Sequence, residues 1–230
     1  MSGHSDVVAA YERGQISFCG LDLAVAAGVL VPRAETELLA RTAVAILAQT
    51  SGAEARVIDM CCGAGNLACA IATLCPHVRV WASDFSAASV RLTRRNVEAC
   101  GLSARVWVHE GDLFGALTGL QLEDSIDVIV CNPPYISDTR LAGERADLLR
   151  HEPPEAFAAG PYGISMHQRV IRDAAAYLRP GGVLLLEIGA GQQSQVEALF
   201  ARRRAYEKIQ SVRDAAGEAR VVYALRQSGA

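Results

Sequence analysis

Short apolar runs alternate along the chain with longer segments in which apolar residues recur at helical spacing. The runs rich in β-branched residues predict buried strands at residues 56–60, 78–83, 105–108, 126–131 and 183–188. The helical spacing predicts helices at residues 35–49, 66–74, 87–100, 166–178 and 193–204. A closing antiparallel pair is predicted at residues 206–212 and 220–225. This alternation favours an α/β fold built on a doubly wound, mostly parallel sheet with an antiparallel closing hairpin.

The N-terminal part follows a different pattern. Residues 7–14 predict a short helix, and residues 16–31 alternate loosely, as in a small hairpin that Pro32 ends. We therefore expect a short N-terminal helix and hairpin segment, residues 1–31, followed by one α/β domain, residues 32–230.

Composition narrows the classes of function. The chain is 51% hydrophobic and 20% charged, with a net charge of −3, so a large core is available. The one basic cluster, Arg202-Arg203-Arg204, is typical of a solvated helix face, and nucleic-acid binding is not expected. No apolar stretch approaches the roughly 18 residues of a membrane helix, and no signal peptide is recognisable. These features predict a cytoplasmic protein.

The seven cysteines include no C-x-x-C pair, and most lie among apolar residues. No zinc or other metal site is therefore expected, and buried thiols in a reducing compartment are the simplest interpretation. Cys61 and Cys62 differ from the others because they fall in a turn that is a candidate for ligand binding. Sensitivity of that turn to oxidation is a minor alternative.

The most informative stretch is the predicted strand 126–131 and the Asn132-Pro133-Pro134-Tyr135 sequence that follows it. Two consecutive prolines fix the backbone and remove two N–H donors, and Pro133 keeps Asn132 out of the helical region. The result is a stiff loop at the carboxyl edge of the sheet, where open α/β proteins bind ligands. Its side-chain amide, its carbonyls and its aromatic ring suit a planar nitrogen that is gripped by its N–H bonds.

Acidic and glycine residues end the preceding strands. Asp59 precedes the turn Cys61-Cys62-Gly63-Ala64-Gly65, whose glycines either let a ligand approach the backbone closely or simply make a tight turn. Asp84 ends the second strand, where an acid can accept both hydroxyls of a ribose, and a helix N-terminal acid is the alternative. Asp112 follows the third strand and either faces an adenine edge or serves as a turn aspartate.

Taken in order, these features resemble the class I S-adenosylmethionine-dependent methyltransferases, and Asn-Pro-Pro-Tyr resembles members that methylate planar nitrogens. Further matching stretches are Val31-Pro32-Arg33-Ala34-Glu35-Thr36-Glu37, Gly111-Asp112-Leu113-Phe114, Asn132 to Ile136, His151-Glu152-Pro153, Leu178-Arg179-Pro180-Gly181-Gly182 and Leu186-Glu187-Ile188-Gly189. Over residues 16–225 the chain looks like the HemK/PrmC family. These are the protein N5-glutamine methyltransferases that modify the Gly-Gly-Gln motif of peptide chain release factors.

The resemblance implies a Rossmann-like class I methyltransferase fold and S-adenosyl-L-methionine as the cofactor. It places the turn Cys61 to Gly65, together with Asp59, at the methionine part of the cofactor. Asp84 would bind its ribose, while Asp112 and Leu113 would flank its adenine.

The same resemblance assigns the substrate side of the site. Arg33 and Glu35 would belong to a flap over cofactor and substrate. Asn132 would lie beside the cofactor sulfonium and, with the Pro133 carbonyl, hold the N–H groups of the acceptor amide. Tyr135 would pack on the amide plane, and Pro134 belongs to the same substrate loop.

The methyl acceptor stays open between classes. Bacterial release-factor enzymes carry a helical N-terminal docking domain, for which only the short stretch before residue 16 could stand here. A small metabolite or peptide is therefore an acceptor nearly equal in weight to a release-factor glutamine. Adenine N6 is less favoured because the chain is acidic, and a non-catalytic cofactor-binding module is less favoured because residues 132–135 are intact. The N-terminal side is a candidate surface for a partner or a second copy.

Overall fold

The N-terminal segment forms a helix followed by a hairpin. The structure, a computed structural model, describes residues 3–49, 54–135 and 163–229. Helix α1 spans Gly3–Arg13, and strands β1, Gln15–Phe18, and β2, Leu21–Ala24, pair antiparallel. The hairpin is shorter than predicted, because the chain beyond β2 turns away through a hydrogen bond from the Val29 N–H to the Ala26 carbonyl. Ile136 and the His151-Glu152-Pro153 stretch lie outside the described residues.

Seven strands of the described residues make one mixed sheet in the order β5-β4-β3-β6-β7-β9-β8. The strands are β3 (Ala55–Met60), β4 (Val78–Asp84), β5 (Val106–Glu110), β6 (Ile126–Cys131), β7 (Leu178–Glu187), β8 (Tyr206–Arg213) and β9 (Ala219–Arg226). The first five are parallel, and β9 pairs antiparallel with both β7 and β8. The predicted α/β fold and its antiparallel closing hairpin are confirmed.

Helices lie against both faces of this sheet. They are α2 (Glu37–Leu47), α3 (Asn66–Leu74), α4 (Ala87–Ala99), α5 (Ser165–Ala174) and α6 (Gln193–Ala201), with short 3-10 turns at Ala34–Thr36 and Leu113–Leu117. No helix within the described ranges is long and apolar enough to cross a membrane.

The central strands are buried on both faces, which explains their continuous apolar sequences. In β3, Val57 packs into the cluster that contains Leu39 of α2 and Ile71 of α3, whereas its neighbour Ile58 packs into the opposite cluster with Phe200 of α6. Successive side chains of a strand point to opposite faces, so one strand anchors both layers of helices.

The order in which strands are added to the sheet switches from one side of β3 to the other. From β3 the chain adds β4 and β5 on one side and then returns to add β6 and β7 on the other. The carboxyl ends of β3, β4 and β6 therefore meet at a topological switch point, the position where open α/β sheets bind ligands. The candidate site residues after these three strands are brought to one edge of the sheet.

Strand β7 differs from its prediction. The sequence predicts a helix as far as Leu178 and a turn at Pro180-Gly181-Gly182, but β7 already begins at Leu178 and includes these residues. The register against β6 jumps there, from Ile126 paired with Leu178 to Val128 paired with Val183. A Cβ on Gly182 would lie 2.7 Å from the Ile126 carbonyl oxygen, so this irregular crossing requires glycine.

One buried side chain of α4 links the end of the N-terminal hairpin to the turn after β3, in addition to the packing of Phe18 and Leu23 into the core. Asn96 is 1% exposed. Its Oδ1 accepts from the Ala24 N–H at 2.8 Å, and its Nδ2 donates to the carbonyls of Ala24, at 3.1 Å, and Ala64, at 2.9 Å. Asn96 thereby satisfies the backbone at the end of β2 and in the turn after β3 at once.

We predict that Asn96→Ala lowers the free energy of unfolding by about 2 kcal/mol, because buried backbone groups of Ala24 and Ala64 lose their partners. Urea unfolding measures this difference. Arg95→Ala is the matched control: Arg95 is the exposed neighbour on the same helix, and its loss should change stability by less than about 0.5 kcal/mol. Equal stabilities of the two variants would contradict the bridging role of Asn96.

Candidate functional site

The turn between β3 and α3 runs through left-handed backbone. Cys61, Gly63 and Gly65 have φ values of 61°, 56° and 77°. The Gly65 N–H donates to the Cys62 carbonyl at 2.7 Å, which closes the turn. A Cβ on Gly65 would lie 2.7 Å from Thr93 Cγ2, whereas a Cβ on Gly63 would meet nothing within 4 Å. Gly65 is therefore required by packing as well as by φ, and the space beside Gly63 is open to a ligand.

Two buried polar residues of α4 hold this turn from below. The Thr93 hydroxyl donates to the Gly63 carbonyl at 2.9 Å, and Asn96 donates to the Ala64 carbonyl. Both side chains are buried. Neither residue is among the predicted site residues. The signal that could have found them is a Thr and an Asn on the otherwise apolar face of a predicted helix.

Asp84 lies at the carboxyl end of β4 and faces the same turn. Its Oδ2 accepts from the Gly63 N–H and its Oδ1 from the Ser86 N–H, both at 2.9 Å. Burial raises the pKa of Asp84 despite these bonds. A carboxylate offers about four lone-pair positions, so both oxygens retain capacity to accept hydroxyl groups. The side chain is half-buried.

Phe85 follows Asp84 directly and is 75% exposed, the largest exposed fraction among the exposed large apolar side chains of the described residues. An aromatic ring placed in solvent beside a strand-terminal acid at the switch point is a candidate cover for a planar ligand group. Phe85 is not among the predicted site residues, although its position directly after Asp84 is a signal in the sequence.

Asp59 is fully buried below the turn. Its Oδ2 accepts from the Ala68 N–H at 2.9 Å, in the first turn of α3, and its Oδ1 has no hydrogen-bond partner. Burial, with a smaller contribution from the charge of Asp84, raises the pKa of Asp59 to about 8. The residue therefore organises the start of α3 and keeps an unused acceptor oxygen near the turn.

The structure pairs Asp112 with a side chain of α5. Arg169 Nη2 lies 2.6 Å from Asp112 Oδ2 in a largely exposed ion pair. Leu113, the next residue, is buried with φ of 48° and starts the 3-10 turn Leu113–Leu117, which the sequence did not predict. Asp112 and Leu113 thus lie at the carboxyl end of β5, one on the surface and one inward.

The Asn132-Pro133-Pro134-Tyr135 loop leaves β6 beside the turn. Asn132 Nδ2 donates to Thr36 Oγ1 at 3.3 Å, and the Tyr135 hydroxyl donates to Glu187 Oε1 at 3.3 Å. Pro133 is buried, and Asn132, Pro134 and Tyr135 are half-buried. The loop is therefore fixed to the 3-10 turn Ala34–Thr36 on one side and to the end of β7 on the other.

Gln192 holds the backbone of Tyr135 through hydrogen bonds to the Tyr135 carbonyl and to the Gly189 N–H. Its Nε2 donates to the Tyr135 carbonyl at 2.9 Å, and its Oε1 accepts from the Gly189 N–H at 2.8 Å. A Cβ on Gly189 would lie 3.1 Å from Tyr135 Cδ2, so the Tyr135 ring packs closely on the glycine backbone. This contact gives a physical reason for glycine after the Leu-Glu-Ile sequence of β7.

One pocket brings together the turn after β3, residues of the segment 30–36 and Asn132. Its lining residues are Leu30, Pro32, Arg33, Thr36, Cys61, Cys62, Gly63, Ala64, Asn66, Leu67 and Asn132. Six of the predicted site residues belong to this lining: Arg33, Cys61, Cys62, Gly63, Ala64 and Asn132. The others lie outside it: Glu35, Asp59, Gly65, Asp84, Asp112, Leu113, Pro133, Pro134 and Tyr135. Among the residues that the structure describes, no group of three His, Cys, Asp or Glu side chains could hold a metal ion.

The strand order, the glycine turn after β3 and the acid after β4 define a class I S-adenosylmethionine-dependent methyltransferase. A family model, described as the methyltransferase small domain, matches residues 35–149. The release factor glutamine methyltransferase of Gloeobacter violaceus is 38% identical over 212 residues, which are 92% of this chain and 72% of that protein. The chain therefore belongs to the HemK/PrmC family of release factor glutamine methyltransferases.

Two further proteins show the range of this similarity. A 4-amino-L-phenylalanine/4-methylamino-L-phenylalanine methyltransferase of Streptomyces pristinaespiralis is 39% identical over 190 residues, 81% of this chain and 63% of that protein. The crystal structure of a release factor-specific protein-(glutamine-N5) methyltransferase from Alicyclobacillus acidocaldarius is 27% identical. It aligns with a TM-score of 0.50 over 86% of this chain and 95% of that chain.

The glycine turn generates a prediction about packing. We expect Gly65→Ala to lower the free energy of unfolding by about 2 kcal/mol, through left-handed strain and overlap with Thr93 Cγ2. Adding Thr93→Ser removes Cγ2 but keeps the hydroxyl, so it should restore part of the lost stability. The coupling energy in a double-mutant cycle should be about 1 kcal/mol. Gly63→Ala is the control: it has similar φ strain without the overlap, so it should show no coupling to Thr93→Ser.

The buried carboxyl of Asp59 generates a prediction about pH. Its pKa in the folded protein, about 8, exceeds the ordinary value of about 4, so the folded state retains a proton that the unfolded state releases. The contribution of this proton to the free energy of unfolding is therefore lost as the pH rises between these two pKa values. Between pH 5 and pH 8, without cofactor, the free energy of unfolding of the wild-type protein should fall by on the order of 3 kcal/mol more than that of Asp59→Asn. Urea unfolding at both pH values measures this, and parallel pH profiles would refute it.

Proposed function

We propose that this chain transfers a methyl group from S-adenosyl-L-methionine to a planar nitrogen, in first place the side-chain amide of a glutamine in a release factor. One observation supports the proposal most strongly: Asn132, which opens the proline-stiffened loop, lines the same pocket as the glycine turn. An acceptor for N–H groups and a turn suited to the methyl donor are thereby adjacent.

The residues at the switch point fit this cofactor. The open space beside Gly63 and the left-handed turn suit the methionine part, and Asp84 retains acceptor capacity for the ribose hydroxyls. Phe85 is proposed to cover the adenine from the exposed side, with Leu113 on the other side. Asp59 is proposed to support the turn from the core side, through its hydrogen bond from the Ala68 N–H.

Further cofactor contacts are proposed at the ends of the turn and at β5. Cys61, Cys62, Ala64 and Gly65 complete the backbone wall around the methionine part. Asp112 is proposed to face the adenine edge with Oδ1, since its ion pair with Arg169 uses Oδ2. The cofactor supplies an electrophilic methyl group on a sulfonium when bound.

The Asn-Pro-Pro-Tyr loop is proposed to orient the acceptor nitrogen and not to deprotonate it. An amide nitrogen is a poor nucleophile because its lone pair is delocalised into the carbonyl. Asn132 Oδ1 and the Pro133 carbonyl are proposed to accept its N–H bonds, which turns the lone pair toward the methyl group and stabilises the positive charge that grows on nitrogen. Tyr135 would pack on the amide plane, with Pro134 completing the wall. The proton can leave after transfer, so no strong base is required.

Two acceptor classes are compatible with this loop. The relatives named for release factors favour a glutamine in a protein, with Arg33 and Glu35 in the flap that would contact it. The Streptomyces relative is named for the amino group of 4-amino-L-phenylalanine, which favours an aromatic amine of a small molecule as the second candidate. Both groups present a planar nitrogen whose N–H bonds the loop could accept. Adenine N6 has the same feature, but the net charge of −3 disfavours nucleic acid.

Isotope-labelled methyl transfer distinguishes the acceptors. The protein is incubated with labelled cofactor and separately with a purified release factor, with 4-amino-L-phenylalanine and with duplex DNA. Mass spectrometry should find the label on the glutamine of the Gly-Gly-Gln motif, and a release factor with that glutamine changed to alanine is the control. Labelling of 4-amino-L-phenylalanine alone would select the second candidate. Transfer to none of the three, with cofactor bound, would overturn the proposal.

A pair of variants separates the transfer role from cofactor binding. Asn132→Ala should lower turnover by about 10² or more, because the acceptor loses a preorganised hydrogen bond, while the cofactor Kd changes by less than about tenfold. Asp84→Ala should instead weaken cofactor binding by on the order of 2 kcal/mol. Calorimetry and single-turnover kinetics measure both. Unchanged turnover in Asn132→Ala would remove that residue from the mechanism.

A further inference from the structure

A short chain of polar side chains lies behind the Asn-Pro-Pro-Tyr loop. Asn132 Nδ2 donates to Thr36 Oγ1, and the Tyr135 hydroxyl donates to Glu187 Oε1, each over 3.3 Å. A side-chain hydrogen bond also joins Thr36 to Glu187. Thr36 is 1% exposed and Glu187 is 3% exposed. The chain therefore runs from Asn132 through Thr36 and Glu187 to Tyr135, away from solvent.

The sheet register fixes the position of the carboxyl in this chain. Leu186 of β7 pairs with Cys131 of β6, so Glu187 and Asn132 are the next residues on neighbouring parallel strands. His167 Nε2 lies 2.8 Å from the Glu187 carbonyl oxygen and fixes its backbone. The second carboxyl oxygen, Oε2, is buried without a hydrogen-bond partner. Nothing in the cofactor or acceptor contacts proposed above accounts for this buried acid.

The number of available protons determines the direction of each hydrogen bond. An ionised carboxylate only accepts, so it takes the single hydroxyl proton of Thr36. Thr36 Oγ1 must then accept a proton from its other neighbour, and only the Nδ2 side of the Asn132 carboxamide can donate one. The Oδ1 side of Asn132 is thereby directed away from Thr36, toward the acceptor. The opposite orientation would set the NH₂ group against the N–H bonds of the acceptor.

We propose, resting on the transfer function above, that Thr36 and Glu187 are positioning residues that hold the Asn132 carboxamide with its Oδ1 toward the methyl acceptor. Glu187 lies outside the pocket lining, and Thr36 reaches the pocket wall with only 1% of its surface exposed, so both act through Asn132. Because the same carboxyl also holds the Tyr135 hydroxyl, one buried group orients both the hydrogen-bonding and the stacking elements of the loop. The flap contributes Thr36, so flap and loop act as one unit.

The charges around Glu187 make this device sensitive to pH. Burial raises the pKa of Glu187 to about 7, with Glu35 adding to the rise and Thr36, Tyr135 and Arg220 opposing it. A protonated carboxyl can donate to Thr36, which then gives its own proton to Asn132 and reverses the carboxamide. Turnover should therefore fall as pH drops through this pKa.

Three variants test the relay kinetically, with an acceptor that the wild-type protein methylates. Thr36→Val removes the hydroxyl at nearly constant volume and should lower kcat at least about tenfold. Thr36→Ser keeps the hydroxyl and should stay within about threefold of the wild type. Glu187→Gln presents an NH₂ donor at every pH, as the protonated acid does, so kcat should be low and independent of pH. The cofactor Kd should change less than about twofold in all three. Loss of kcat in Thr36→Ser equal to that in Thr36→Val would overturn the proposal.

A spectroscopic measurement decides the same question without turnover. The side-chain NH₂ signal of Asn132 in a ¹⁵N–¹H spectrum is identified by its loss in Asn132→Asp. We expect it to shift in Thr36→Val and Glu187→Gln and to keep its position in Thr36→Ser. An unmoved signal in Thr36→Val overturns the relay, whatever the kinetics show. If the wild-type protein methylates no acceptor, the transfer function fails, while this signal still decides the relay. Should Glu187→Gln not fold, the two Thr36 variants suffice.

Discussion

The site depends on buried polar side chains that satisfy a left-handed turn. The backbone after β3 leaves regular structure at Cys61 and does not regain it until α3, so its N–H and carbonyl groups need partners from elsewhere. Thr93, Asn96 and Asp84 supply them. Thr93 and Asn96 come from α4 and Asp84 from the end of β4, so neighbouring elements of the core set the shape of the turn together with its own glycines.

The same principle organises the acceptor side. The two prolines stiffen the loop after β6, but its orientation is decided by contacts to Thr36, Glu187 and Gln192. These residues come from the flap, from β7 and from the segment before α6. The loop is consequently held between the 3-10 turn Ala34–Thr36 and the segment 187–192.

Burial gives this edge of the sheet an unusual charge state. Asp59 and Glu187 are both almost fully buried, and burial raises the pKa of each, to about 8 and about 7. Such acids are costly when ionised and become favourable when a positive charge enters nearby. A sulfonium donor and a nitrogen that becomes positive during transfer are charges of that kind. A positive charge bound close to either carboxyl would lower the pKa of that group.

The sequence by itself determined the alternation of strands and helices, the glycine turn, the strand-terminal acids and the Asn-Pro-Pro-Tyr loop, because each has a local signature in residue type and spacing. It did not determine the early start of β7, the 3-10 turn at Leu113–Leu117 or the exposure of Phe85. Nor could it pair Asn96 with Ala24, 72 positions away, or Asn132 with Thr36, 96 positions away. Those contacts exist only once the strand order is set, since a hydrogen bond between distant segments leaves no periodic trace in the chain.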